Sequence, residues 1–132
     1  MGTNGAVSIT GREEPAGLTL RTSGLSARGL PEIAVTGLPP YLGRAWARIL
    51  AVLAVRLAAA VRSGGEVPST LAFTPGDLRD VVGERSTGWS ETVVGLRRDG
   101  EHLAPVPPED FGGTLDQWRL DLAVRLFPAA RS

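Results

Sequence analysis

Residues 29–65, from Gly29 to Gly65, read GLPEIAVTGLPPYLGRAWARILAVLAVRLAAAVRSGG. The stretch contains a short strand, a Pro-Pro turn and one long helix closed by Gly-Gly. Ile33, Ala34 and Val35 lie within Leu30–Leu38, a run apolar on both faces, as an inner strand is. Pro39 and Pro40 cannot continue a strand ladder. They suit the first turn of a helix, where their missing N–H has no intrahelical partner in any case. From Leu42 onward Trp46, Ile49, Leu50, Leu53, Leu57, Ala60 and Val61 recur every three or four residues, forming one apolar stripe at about 100° per residue. Gly64 and Gly65 supply a left-handed stop after Arg62, whose charge suits the negative end of a helix. The spacing therefore predicts a helix over 40–63 that seats its Trp/Ile/Leu edge on a sheet.

Outward from this centre, Leu18 and Leu20, with Leu25, alternate with polar residues across AGLTLRTSGLS, predicting a half-buried strand. Residues 1–15 read as a flexible arm carrying one short apolar element, Ala6–Ile9. Val67–Phe73 reads as a further strand. TPGDLRDVVG places Thr74 as N-cap of a short helix, Pro75 at its first position and Gly83 as its stop. Ser90–Arg97 and His102–Val106 flank Asp99-Gly100, the strongest short hairpin signal in the chain. Thr114 caps a final helix ending at Phe127, before Pro128, and residues 129–132 form a free tail. The expected fold is α+β: one domain over 16–128, with a mostly antiparallel sheet of about five strands packed on the long helix, plus a C-terminal helix.

The chain has 132 residues, 42% hydrophobic and 21% charged, with zero formal charge. That is the size and composition of one globular domain. The basic residues are scattered, which argues against nucleic-acid binding, and near-neutral charge leaves little repulsion against self-association. No cysteine is present, so thiolate catalysis and cysteine-ligated metals are excluded. All 14 basic residues are arginine, which removes Schiff-base chemistry and the P-loop lysine. No cofactor is implied. The Arg-only, Ala/Gly/Pro/Val-rich usage fits a GC-rich genome such as an actinobacterium's. The first ten residues lack a signal-peptide pattern, and the longest apolar run, Ile49–Val61, falls short of the roughly 20 residues that span a bilayer. A cytoplasmic protein without membrane contact is expected.

Candidate chemistry is sparse. His102 is the only histidine; an imidazole with its ordinary pKa of about 6.5 suits a general base. Its neighbour Glu101 points to the opposite strand face. Glu32, between Pro31 and Ile33 at the entrance to an apolar strand, needs a partner or a raised pKa if partly buried; Arg21, Arg28 and Arg97 are possible partners. Trp46 and Trp118 fall on apolar helical stripes and read as core. Trp89 lies on none and is a candidate pocket wall. On the far side of the long helix, Ala51, Val52, Val55 and Ala59 share an arc with Arg44, Arg48, Arg56 and Arg62. This arc is either covered by the C-terminal segment or forms a homodimer seam, with Val52, Val55 and Ala59 at its centre.

The segment GLPEIAVTGLPPYLGRAWARILAVLAVRLAAAVRSGGEV resembles the domain-of-unknown-function 4262 family. That family's members typically read Tyr-Thr-Val-Gly-Leu, then Gly-His-Pro-Glu-Leu, an apolar strand, Gly-Leu, a helix and a glycine near its end. The resemblance covers residues 16–66, with Thr22-Ser23-Gly24-Leu25 at the first motif and Leu30 where the family has histidine. It implies a small α+β fold and no particular activity.

Two functions follow as expectations. The first is a cofactor-independent small-molecule binding or tailoring protein of isomerase or cyclase type, from bacterial secondary metabolism, with Glu32 and His102 catalytic and Trp89 and Arg97 binding the ligand. The second is a non-catalytic dimeric accessory module that uses the apolar face of the long helix.

Overall fold

In the computed structural model, residues 8–61, 66–74, 77 and 92–126 are described. The strands are β1 (Ser8–Glu14), β2 (Gly17–Ser23), β3 (Glu32–Leu38), β4 (Thr70–Phe73), β5 (Thr92–Asp99) and β6 (His102–Val106), and the helices are α1 (Gly43–Val61) and α2 (Leu115–Leu126). They form an α+β fold with one six-stranded sheet in the order β1-β2-β3-β6-β5-β4. Every neighbouring pair is antiparallel except β3 and β6, which run parallel at the centre.

The long helix forms where the apolar spacing places it. A single 3₁₀ turn, Pro40–Leu42, leads into α1 with proline at its start. Trp46, Ile49, Leu50, Leu53 and Leu57 are buried against Leu20, Ile33, Val35, Phe73, Val94 and Leu103 of the sheet. The second helix begins with a reciprocal cap: the Gln117 N–H donates to Thr114 Oγ1 at 3.1 Å, and the Thr114 N–H donates to Gln117 Oε1 at 2.9 Å. Two of the orphan donors that every helix N-terminus carries are thereby satisfied. Trp46 and Trp118 meet edge to face, with ring centroids 5.6 Å apart, and the Trp46 indole N–H donates to the Arg119 carbonyl at 3.1 Å. These contacts fasten α2 to the start of α1.

The Asp-Gly hairpin closes with Asp99 opposite His102, leaving Gly100 and Glu101 as the loop. Gly100 has φ +65° while Glu101 has no positive φ, so the glycine occupies the first central position, as in a type II′ turn.

Two expectations about the strands need correction. Residues 8–14 are not part of a loose arm; they pair along their whole length with β2 through a Pro15-Ala16 turn. Only Ile9 of that strand is even partly buried, so no apolar alternation announces it, and the cross-strand ladder alone defines it. The sheet accordingly has six strands, one more than the count of about five. Thr74 caps Asp77 as expected, its Oγ1 accepting from the Asp77 N–H at 3.2 Å. The rest of the expected helix to Gly83 lies outside the described residues.

Candidate functional site

Alternation along the strands gives the sheet two faces. One carries the buried Leu, Ile, Val and Phe residues against α1. The other presents Thr19 and Arg21 of β2, Ala34 and Thr36 of β3, Arg97 of β5, and His102, Ala104 and Val106 of β6. Together with Leu115 and Arg119 of α2, these residues line an open groove of about 490 Å³.

The groove has a specific floor and specific walls. Arg21 pairs with Ala34, and Arg97 pairs with Ala104. Between them, the parallel register sets Glu32 beside His102 and Ile33 beside Leu103; carried one residue further, it sets Ala34 beside Ala104. Arg21-Ala34-Ala104-Arg97 is therefore one cross-strand row, two guanidinium side chains about 14 Å apart at their Cα atoms over an alanine floor. His102 stands one step along the strand, and the Arg21 guanidinium lies 3.4 Å from its Nε2. A guanidinium can only donate, so Nε2 is the acceptor in this contact. Arginines at four of the groove's positions face a single carboxylate, Asp99, among the described residues. The chain as a whole is neutral, so this positive character is local.

His102 and Arg97 line the same groove, and Glu32 does not join them. Its carboxylate turns away from its register partner His102 toward the loop at 22–26. Oε1 accepts from the Thr22 hydroxyl at 2.7 Å and the Leu25 N–H at 3.3 Å; Oε2 accepts from the N–H groups of Ser26 at 2.9 Å and Gly24 at 3.2 Å. The Thr22 hydroxyl in turn accepts from the Ile33 N–H at 2.9 Å. The short turn Ser26–Arg28 has Leu25 at its N-cap, which offers no side-chain bond, and Glu32 supplies from across the loop what a capping Ser or Asp would supply locally. The expected arginine partner is replaced by backbone N–H groups and one hydroxyl.

Burial by itself pushes the Glu32 carboxyl up, but the bonds from Thr22, Ser26 and Gly24 outweigh it and hold the group below its ordinary value of 4.5. A carboxylate saturated in this way is a loop clamp and a poor general acid. Because the folded pKa lies below the unfolded one, the contribution is complete above pH 4.5 and is lost as pH falls through the folded value. Urea midpoints followed down through this acid range should decline more steeply for the native chain than for Glu32→Gln. Parallel acid limbs would show that the clamp contributes nothing. Thr22→Val removes both bonds of a fully buried hydroxyl and should cost about 1–3 kcal/mol in the same measurement at neutral pH.

The other candidates separate. Trp89 lies outside the described residues. Val52 is fully buried within the chain's own core, which corrects its assignment to a seam, while Val55 is 47% exposed and Ala59 is also exposed. Arg56, expected on the solvent side, is partly buried and donates from Nε to the Ala72 carbonyl of edge strand β4 at 3.2 Å. Helical periodicity locates a residue on an arc to within one neighbour, and here the core extends over that margin.

Sequence reading missed Arg119 as a groove residue. It sits between Trp118 and Leu120 on the buried side of α2 and is only 6% exposed. An arginine inside the stripe of a short helix was the available signal, since charged side chains are almost never fully buried without a partner.

No protein-family model, curated protein or solved structure matches this chain. No group of His, Cys, Asp and Glu among the described residues could hold a metal ion, and no helix there is long and apolar enough to cross a membrane.

Proposed function

We propose that this chain is a cofactor-independent protein that binds a small polar molecule in the groove on the sheet face turned away from α1, with His102 moving a proton on the bound molecule in an isomerase-type step. The observation that carries this reading is the row Arg21-Ala34-Ala104-Arg97, with His102 beside it. Two alanines leave room above the sheet for a ligand, two guanidinium groups bracket it with donors, and one imidazole offers a group of the type used as a general acid and base. Glu32 has no part in this reading.

A panel of small aliphatic and aromatic hydroxy- and keto-acids, screened by thermal shift and native mass spectrometry, tests it. Binding should weaken at least tenfold in Arg97→Met and Arg21→Met. These exposed positions should leave stability within about 0.5 kcal/mol of the native chain. For any acid that binds, exchange of its C–H protons in D₂O should occur with the native chain and stop in His102→Gln, which should still bind. Acids that bind equally well to both arginine variants would remove the groove from consideration. Exchange that persists in His102→Gln would leave a binding protein without the proton step.

A further inference from the structure

Among the described residues, Arg119 is the one side chain with a buried polar atom that lacks a hydrogen-bond partner. It is 6% exposed, and its guanidinium donates through one terminal nitrogen to the Thr36 carbonyl at 2.7 Å. Its Nε–H is buried and has no hydrogen-bond partner, and no carboxylate among the described residues forms an ion pair with it. Burial pushes its pKa down, opposed only by the charge of Asp116 at an exposed position one turn earlier on α2. A buried guanidinium costs free energy unless an anion and a full set of acceptors accompany it. A methionine of similar length would pack there at no such cost. The residue also lines the groove beside Leu115, Thr36 and Val106, about two residues, or roughly 7 Å, along β3 from the arginine-alanine row.

We propose that Arg119 is the anchor for an oxyanion, a carboxylate or a phosphate, at the α2 end of the groove, so that the natural ligand is an acid whose charged group sits on Arg119 while the rest of the molecule extends toward His102. This rests on the groove being the binding site and names the chemical class that fills it. The Thr36 carbonyl holds one edge of the guanidinium fork. The remaining N–H groups are the rigid, planar donors that suit an oxyanion. The bound anion supplies the missing counter-charge, and the side chain is already held in place by its bond to β3.

The test uses the full chain in a weakly coordinating buffer, with inorganic phosphate and acetate as separate probes. The ¹⁵N-resolved Nε–Hε resonance of Arg119, assigned by its loss in Arg119→Met, should shift on titration with at least one probe, and the thermal midpoint should rise with it. Phosphate alone acting identifies a phosphorylated ligand, and acetate alone a carboxylate. Arg119→Met should bind the effective probe roughly 30-fold or more weakly, since losing one partner of a buried charge pair costs at least about 2 kcal/mol. In the absence of the probe this variant should unfold no lower than the native chain. Through-bond correlation of the Nε–Hε resonance to the Arg119 backbone in the native chain assigns it independently, so the measurement stands even if the variant fails to fold.

An Arg119 resonance that ignores both probes while those of Arg97 and His102 move would overturn the anchor and leave the groove reading intact. Silence at all three would overturn both. An Arg119→Met chain that is destabilised, yet still gains the native chain's midpoint rise with the probe, would make Arg119 a structural residue only.

Discussion

Replacing Trp46 with alanine should destabilise the domain by about 3–5 kcal/mol, enough to lower the thermal midpoint by about 10 °C or more. The indole is completely buried in the core, where it joins α1 to α2. Three losses coincide: the apolar surface of the largest core side chain, the edge-to-face contact with Trp118 at 5.6 Å, and the bond that satisfies the Arg119 carbonyl. The aromatic pair alone is worth about 0.5–1.5 kcal/mol beyond the area it buries. Trp46→Phe keeps a ring against Trp118 but leaves the carbonyl without its donor, so it should recover most of the loss and still fall short by about 1 kcal/mol. Chemical denaturation of the two variants beside the native chain measures both steps. An alanine variant within about 1.5 kcal/mol of the native chain would mean that α2 is not fastened through this residue. The fastening bears on the groove, because Arg119 reaches Thr36 only while α2 stays docked.

Gly17→Ala should also cost several kcal/mol, about 2–5, by a different route. Gly17 opens β2 with φ +133°, a backbone conformation that L side chains rarely adopt. A Cβ built there would lie 2.8 Å from the carbonyl carbon of Gly37 and 3.0 Å from the Leu38 oxygen. Both obstacles are backbone atoms, so no rotamer change relieves the clash, and β2 must move away from β3. The approach is this close because the β2–β3 register shifts between the pairs Leu18↔Leu38 and Leu20↔Val35, an irregularity of the kind that bends a strand. Gly100→Ala separates strain from crowding. Gly100 also has positive φ, +65°, but nothing lies within 4 Å of its Cβ position. It should therefore cost only the left-handed penalty of about 1–2 kcal/mol. Equal losses in the two variants, read from urea midpoints, would show that the Gly17–Gly37 contact contributes nothing of its own.

Much of the architecture was legible because its determinants are local. The stripe from Trp46 to Leu57, the prolines before it, the Thr114 cap and the Asp99-Gly100 hairpin all express free energies settled within a few residues of chain. Strand β1 was not legible, since its residues are almost all exposed and only pairing with β2 defines it. Glu32 was rightly marked as a carboxylate that needs partners. That those partners would be the N–H groups of a turn six to eight residues earlier depended on how that turn folds back.

The candidate site divides along the same line. Sequence alone determined the chemistry available to this protein: one histidine, no thiol, no lysine, and arginine as the sole cation. It also determined that a long helix covers one face of a largely antiparallel sheet. Only the tertiary structure decided that β3 and β6 lie side by side in parallel, and that register brings Arg21, Arg97 and His102, separated by up to 81 residues, onto one face. Docking of α2 then buries Arg119 at the end of the same groove. The physical reason is that strand order and register are set by which apolar faces can be buried together across the whole chain. Residues on the opposite face are carried into proximity by that choice without contributing to it, so nothing in their own sequence neighbourhoods records where they meet.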